Sequence, residues 1–272
     1  MKSISWKDNK WSTSQSLSIS LKDRGLRFGD GVFETILIKN QEPYLLERHL
    51  ERWKQSAKIL AMDNPPNQTF LIPIIAESIK RILNQYSYGA LRLNWSRGST
   101  INRNISIHNN LKSFNHQFWL ELYEIRPNLE PISVLISKTE KRNADSKLCK
   151  CKSFGYLQSI QVRNEANKNN FDDGLLLSTT GELCCGTTSN IIIKRNNQFL
   201  TPREESGCLP GIMREQGIRK GLLKEAKINP IPKENDKWLL INSLGCQSIK
   251  KVGNYQLNEY KLVKEFWENL NS

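Results

Sequence analysis

Residues 174–202 carry four short apolar runs, GLLLS (174–178), ELCC (182–185), SNIIIK (189–194) and FLTP (199–202), divided by turn-formers such as Thr-Thr-Gly and Arg-Asn-Asn-Gln. Runs this short, with hairpin punctuation between them, predict a strand meander. The chain must therefore build a sheet from sequence neighbours. VFETILI (32–38), GALRLNWSRG (89–98), FWLELYEI (118–125), PISVLISK (131–138) and WLLINSLG (238–245) read as further strands, with a turn at 40–43. Between them the period changes: Leu46, Leu50, Trp53, Ala57 and Leu60 recur at helical spacing over 45–61, among Glu, Arg and Lys. Further helices are expected over 70–84, where Pro73 limits the start, over 153–170, over 209–227 beginning just after Pro210-Gly211, and over 257–270. IRPNLEP (125–131) interrupts the pattern with two Pro. The expected fold class is α+β in two mixed domains: an N-terminal domain over 1–124, an interdomain loop at 125–131, and a C-terminal domain over 132–272 with a β-rich core.

Several function classes are excluded at this level. No apolar run approaches the roughly 18 residues of a membrane span; the longest candidate is FLIPIIA (70–76). The opening MKSISWKDNKW is polar and lacks an apolar signal core, so a cytoplasmic protein is expected. Six Cys in 272 residues, spaced as C-x-C and C-C, are too sparse for a disulfide scaffold and read as free thiols. The three His are scattered, and nothing has zinc-site spacing, so no metal is expected. The formal charge of +13 raises the question of nucleic acid. The basic residues are dispersed beside Glu, however, without a dense tract of interleaved aromatics, which argues against that partner and suits a small anionic substrate.

Generic catalytic motifs are absent. Gly29-Asp30-Gly31 starts like a dinucleotide loop, but Glu34 stands where a third Gly belongs and a strand follows, not a helix. The N-x-S/T triplets at Asn67, Asn94 and Asn104 carry no weight without a secretion signal. LPGIM (209–213) opens a helix with Gly beside its first amides, which is either a phosphate-binding terminus or an ordinary junction. INSLG (241–245) is either a further set of phosphate donors or a polar turn.

Seven segments, in order, resemble the class IV pyridoxal-phosphate enzymes (fold type IV), a family of aminodeoxychorismate lyases, D-amino-acid aminotransferases and branched-chain aminotransferases. They are RGLRFGDGVFET (24–35), LLERHLERWKQSAKIL (45–60), SRG (96–98), KSFGYLQSIQVRNEA (152–166), GELCCGTTSNIII (181–193), LPGIMR (209–214) and NSLGC (242–246). The resemblance implies two α/β domains with pyridoxal 5'-phosphate between them, in a homodimer. It makes Lys152 the lysine that carries the cofactor. It assigns the phosphate to Arg52, the amides of Ile212 and Met213, and Ser243. It places Arg97 toward a substrate carboxylate, and Cys185 beside the pyridine nitrogen.

The sequence departs from the family there. Five residues before Asn190 the family usually has a Glu that keeps the ring nitrogen protonated; this chain has Cys185, with Glu182 three residues earlier. Gly155 stands where Asn is common, and NSLGCQSI lacks the usual Pro. Within the family, chain length, Met213 in GIMR, and Arg103-Asn104-Ile105 in place of an R-x-H motif point to the lyase that makes 4-aminobenzoate and pyruvate from 4-amino-4-deoxychorismate. The alternatives are a transaminase of the same family, or a binding module that kept the fold and lost the chemistry.

Overall fold

In the computed structural model, which describes residues 2–13, 16–85, 87–100, 105–107 and 114–271, the chain divides into two compact units. One comprises Met1–Arg126 with Cys151–Gly155, the other Pro127–Lys150 with Tyr156–Ser272. The change of unit at 126/127 falls inside the proline-containing segment 125–131. The short stretch 151–155, expected in the C-terminal domain, packs instead with the N-terminal unit.

The N-terminal unit is a six-stranded antiparallel sheet in the order β2-β1-β6-β5-β3-β4. Its strands are β1 (Ser3–Lys7), β2 (Lys10–Ser12), β3 (Gly31–Lys39), β4 (Glu42–Pro43), β5 (Tyr88–Ser96) and β6 (Gln117–Ile125). Three helices accompany it: α1 (Arg24–Phe28), α2 (Leu46–Ile59) and α3 (Gln68–Ile82). Alternation sets the two faces. Val32, Ile36 and Ile38 of β3 join Leu91, Leu93, Leu120 and Leu122 in a core that also takes Trp53 and Ala57 of α2 and Leu71, Ile75 and Ile79 of α3. Helix α3 begins five residues before Pro73, because Asn67 caps it by accepting the Phe70 N–H at 3.0 Å. Pro73 lies exposed inside the helix, on the face away from the core. The β1–β2 hairpin was not expected from its polar sequence; Asp8 and Asn9, both at positive φ, make its turn.

The C-terminal unit has the strands β7 (Ile132–Arg142), β8 (Asp173–Ser178), β9 (Leu183–Gly186), β10 (Asn190–Arg195), β11 (Gln198–Pro202), β12 (Leu223–Ala226), β13 (Lys237–Asn242), β14 (Gly245–Val252) and β15 (Tyr255–Gln256). The expected meander is present as β8 to β11. Strand β9 pairs with both β8 and β10, so the sheet path β10-β13-β14-β7-β8-β9 returns on itself. Helices α4 (Leu157–Lys168), α5 (Ile212–Arg219) and α6 (Val263–Asn271) complete the unit. Three helix expectations are corrected. Residues 153–156 precede α4; Ser153 bridges β3 instead. The helix expected over 209–227 ends at Arg219: Gly221 turns the chain at φ +69°, and Leu223 is buried as β12 pairs in parallel with β11. The last helix begins at Val263, not 257. Among the described residues no helix is long and apolar enough to cross a membrane.

Candidate active site

Lys152 is held by the N-terminal unit. Its carbonyl accepts the Phe33 N–H at 3.0 Å, and its own N–H donates to Ser56 Oγ of α2 at 3.2 Å. One residue on, Ser153 bridges Val32, and the Phe154 N–H donates to the Gly31 carbonyl at 2.9 Å. Gly31 is needed at that point, since a Cβ there would run into the Phe154 ring. Phe154 then packs against Phe33 and Trp119, with ring centroids 6.2 Å and 5.7 Å away. The Lys152 side chain is thus presented from a pinned backbone. Its Nζ lies 4.3 Å from the Phe33 ring centroid, and the Arg92 guanidinium lies 3.6 Å from the same ring. Two cationic side chains thus share the Phe33 ring.

Arg52, on α2, is bound to Glu34 of the same strand. Its Nε donates to Glu34 Oε1 at 2.8 Å and its Nη2 to Oε2 at 2.6 Å. His49, three residues before Arg52 on the same face of α2, places Nδ1 2.7 Å from Oε2. Burial raises the Glu34 carboxyl, but the Arg52 charge and the His49 hydrogen bond outweigh it and bring it to about 2. A carboxylate can only accept, so His49 carries its hydrogen on Nδ1. Burial keeps His49 below its ordinary value despite the Glu34 bond, with the Arg52 and Lys152 charges adding to that effect.

Arg97 is fully engaged within the N-terminal unit. It is 1% exposed, and it donates from Nε to Asp30 at 2.8 Å, from Nη1 to the Ala61 carbonyl at 2.8 Å and from Nη2 to the Leu60 carbonyl at 2.5 Å. Arg24 shares Asp30 at 2.7 Å. Burial raises the Asp30 carboxyl, but the two guanidiniums more than reverse this. This geometry makes Arg97 a clamp between β5 and the end of α2, and these bonds engage the guanidinium that the resemblance places toward a substrate carboxylate. Arg103 and Asn104 lie outside the described residues.

In the C-terminal unit, hydrogen bonds gather three of the family-like segments. Asn190 donates to the Leu209 carbonyl at 2.9 Å, just before α5, and Asn242 donates to Ser189 Oγ at 3.3 Å. Gly211 caps α5 without a side-chain bond, and a Cβ there would strike Asn190. Ile212 and Met213 are the first two residues of α5, and both are buried. Ser243 lies in the β13–β14 turn, where Asn242 Oδ1 accepts the Leu244 N–H at 2.9 Å.

Cys185 is buried on β9, opposite Leu176 and Asn190. The hydrogen bond from Cys184 and the charge and hydrogen bond of Arg142 push its thiol down against burial, while the same bond and burial push Cys184 up. Glu182 is held through one oxygen: its Oε1 accepts from Thr180 at 3.1 Å and from Arg203 at 3.3 Å. A second buried carboxyl, Asp173, is bound by Thr187 at 2.6 Å and Arg163 at 2.8 Å, and burial keeps it above the usual carboxylate range. Sequence reasoning missed Glu34, His49, Arg92, Arg142 and Asp173. The available signal was a charge inside an apolar strand run, as with Glu34 in VFETILI.

The amino-transferase class IV family matches residues 31–252. Branched-chain-amino-acid aminotransferase-like protein 2 of Arabidopsis thaliana is 28% identical over 222 residues, 78% of this chain but 38% of that relative, so the chain spans well under half its length. Aminodeoxychorismate lyase of Bacillus subtilis is 24% identical over 259 residues, 90% of this chain and 75% of the relative. An aminotransferase of Brucella abortus, solved bound to the cofactor PLP, superposes with a TM-score of 0.87 at 15% identity over 100% of both chains, a likeness of fold.

Proposed function

Since the chain belongs to the amino-transferase class IV family, we propose that it is a pyridoxal-phosphate-dependent enzyme, and that it converts 4-amino-4-deoxychorismate to 4-aminobenzoate and pyruvate. The observation that carries the reading is Lys152: an amine presented from a backbone fixed to β3 and α2, in the same unit as a guanidinium fixed by Glu34. That donor set fits the cofactor, with an amine for its aldehyde and an arginine for its phosphate. In the C-terminal unit the first amides of α5 and the Ser243 turn are groups of the kind that suit a phosphate. When bound, pyridoxal phosphate supplies an electron sink.

The chain's own residues do the rest. Lys152 would hold the cofactor through its amine and would serve as the base for the proton on the substrate carbon that bears nitrogen. Arg52, the amides of Ile212 and Met213, and Ser243 hold the phosphate. Cys185 would be the neighbour of the ring nitrogen, with the Cys184 hydrogen bond and the Arg142 charge pulling its thiol down. Arg92, beside Lys152 on the Phe33 ring, attracts a carboxylate of the anionic substrate. Expulsion of the enolpyruvyl group makes an aromatic ring, so the reaction tolerates a weaker electron sink than transamination does. The enzyme works as a cytoplasmic homodimer. Met213 and the 90% coverage by the Bacillus lyase relative support the lyase reaction; the 28% identity to the plant relative favours a transaminase as the second reading.

The test is to supply purified protein with pyridoxal phosphate and 4-amino-4-deoxychorismate and measure 4-aminobenzoate. Release of 4-aminobenzoate is expected. Amino transfer from a branched-chain or D-amino acid to a 2-oxo acid, with no 4-aminobenzoate, would select the transaminase. A protein that neither binds the cofactor nor retains it after borohydride treatment would be the binding module.

A further inference from the structure

The cluster of Glu34, His49 and Arg52 is more elaborate than the packing of α2 on the sheet requires. Trp53 and Ala57 of the same helix are fully buried in the apolar core, and Trp53 Nε1 already reaches the Val32 carbonyl at 3.4 Å. A buried ion pair adds little to such docking, because desolvation consumes most of the Coulombic gain. Its geometry does something else. Glu34, with a side chain 0% exposed, takes Nε and Nη2 of Arg52 together, which fixes the plane of the guanidinium. His49, with a side chain 2% exposed, takes a second site on the same carboxylate and prevents that carboxylate from turning. Arg52 is the most exposed of the three, at 11%, so the cluster is anchored in the core and ends in a cation near the surface.

We infer that Glu34 and His49 are positioning residues that aim Arg52 at the phosphate monoester of its ligand. The inference rests on the proposed reading that Arg52 takes the cofactor phosphate. A free arginine side chain loses rotamer entropy when it grips a phosphate; one already held by a carboxylate has lost it in advance, and the gain appears as tighter binding. The carboxylate takes Nε and Nη2 together, so the direction of the whole guanidinium is set by Glu34.

The experiment compares two ligands that differ only in the phosphate. Affinities for pyridoxal 5'-phosphate and for pyridoxal are measured on the full chain and on Arg52→Ala, Glu34→Gln, Glu34→Asp, His49→Gln and the Glu34→Gln/Arg52→Ala double variant. Glu34→Gln is expected to weaken pyridoxal phosphate by about tenfold to a hundredfold, the worth of a charge-assisted bond, and to leave pyridoxal within about twofold. His49→Gln should show a smaller loss of the same kind, and Glu34→Asp should recover part of the affinity. The double variant should bind no more weakly than Arg52→Ala alone, because Glu34 acts only through Arg52. Unchanged phosphate-ester affinity in Arg52→Ala would sink the underlying assignment of Arg52. Weakened binding in Arg52→Ala with none in Glu34→Gln, or equal losses for both ligands, would leave that assignment standing and overturn the positioning role. Failure of both Glu34→Gln and His49→Gln to fold would overturn it too, by showing the cluster to be purely structural.

Discussion

The two units bury charge in different ways. In the N-terminal unit the Glu34 carboxylate, which no solvent reaches, meets three donors from His49 and Arg52 at 2.6–2.8 Å. In the C-terminal unit the strand around Cys184 and Cys185 lies among groups that are only partly paired: Arg142 Nε, Glu182 Oε2, Arg203 Nε and Ser206 Oγ are buried without a hydrogen-bond partner. A closed cluster holds one charge state over a wide pH range. In the thiol pair beside Arg142 one thiol is pushed down and the other up. The difference matches the roles proposed for the two places, a rigid phosphate grip and an adjustable neighbour for a ring nitrogen.

The largest effect is expected at Lys152, which the N-terminal unit holds. Lys152→Ala should lower turnover by about a thousandfold or more while the fold stays intact. Borohydride should then fix no cofactor to the chain; a labelled peptide from another lysine would overturn the assignment.

Next comes the closed cluster itself. Glu34→Ala should cost about 3–5 kcal/mol in urea unfolding, since it strands Arg52 and His49 in a space built for a carboxylate. Cys185→Ala, which removes a small buried thiol, should cost about 1–2 kcal/mol. Equal losses at the two positions would erase the contrast between the units.

The same cluster predicts a pH dependence of about 3 kcal/mol. Glu34 is depressed from 4.5 to about 2, so its stabilisation is complete above about 4.5 and is lost as pH falls toward 2. His49, also lowered, acts in the same direction: a fold that prefers it neutral weakens as pH falls below its ordinary value of 6.5. Acid unfolding followed by tryptophan fluorescence should be flatter in Glu34→Ala than in the unaltered chain. An identical acid slope in both would remove Glu34 from the account.

Cys185→Glu should have the smallest effect on stability, within about 1.5 kcal/mol, because Arg142 is already placed to pair with the new carboxylate. The absorbance of the bound cofactor should shift and side transamination should rise. A mutant that folds poorly, or whose cofactor spectrum is unmoved, would take Cys185 away from the ring.

Much of this was legible in the residues, and the exceptions have physical causes. Strand β3, helix α2 and the β8–β11 meander follow from local periodicity and turn chemistry, which act over a few residues and need no partner. Lys152, Arg52, Cys185 and the start of α5 could be singled out as candidates because they sit at fixed distances within recognisable segments. The strand at Leu223–Ala226 could not, since LLKEAK has a helix former's composition and only pairing with β11 overrides it.

The sequence by itself determined an α+β chain and its family, and singled out the residues proposed to hold the cofactor. Tertiary structure alone decided that residues 151–155 belong with the N-terminal unit, that Arg97 is consumed by Asp30 and two carbonyls, and that Arg52 is gripped by Glu34 and His49. The reason is sequence separation. Lys152 meets Phe33 and Ser56 across about a hundred residues, and no local pattern encodes a pairing that exists only once the sheet and helix have packed.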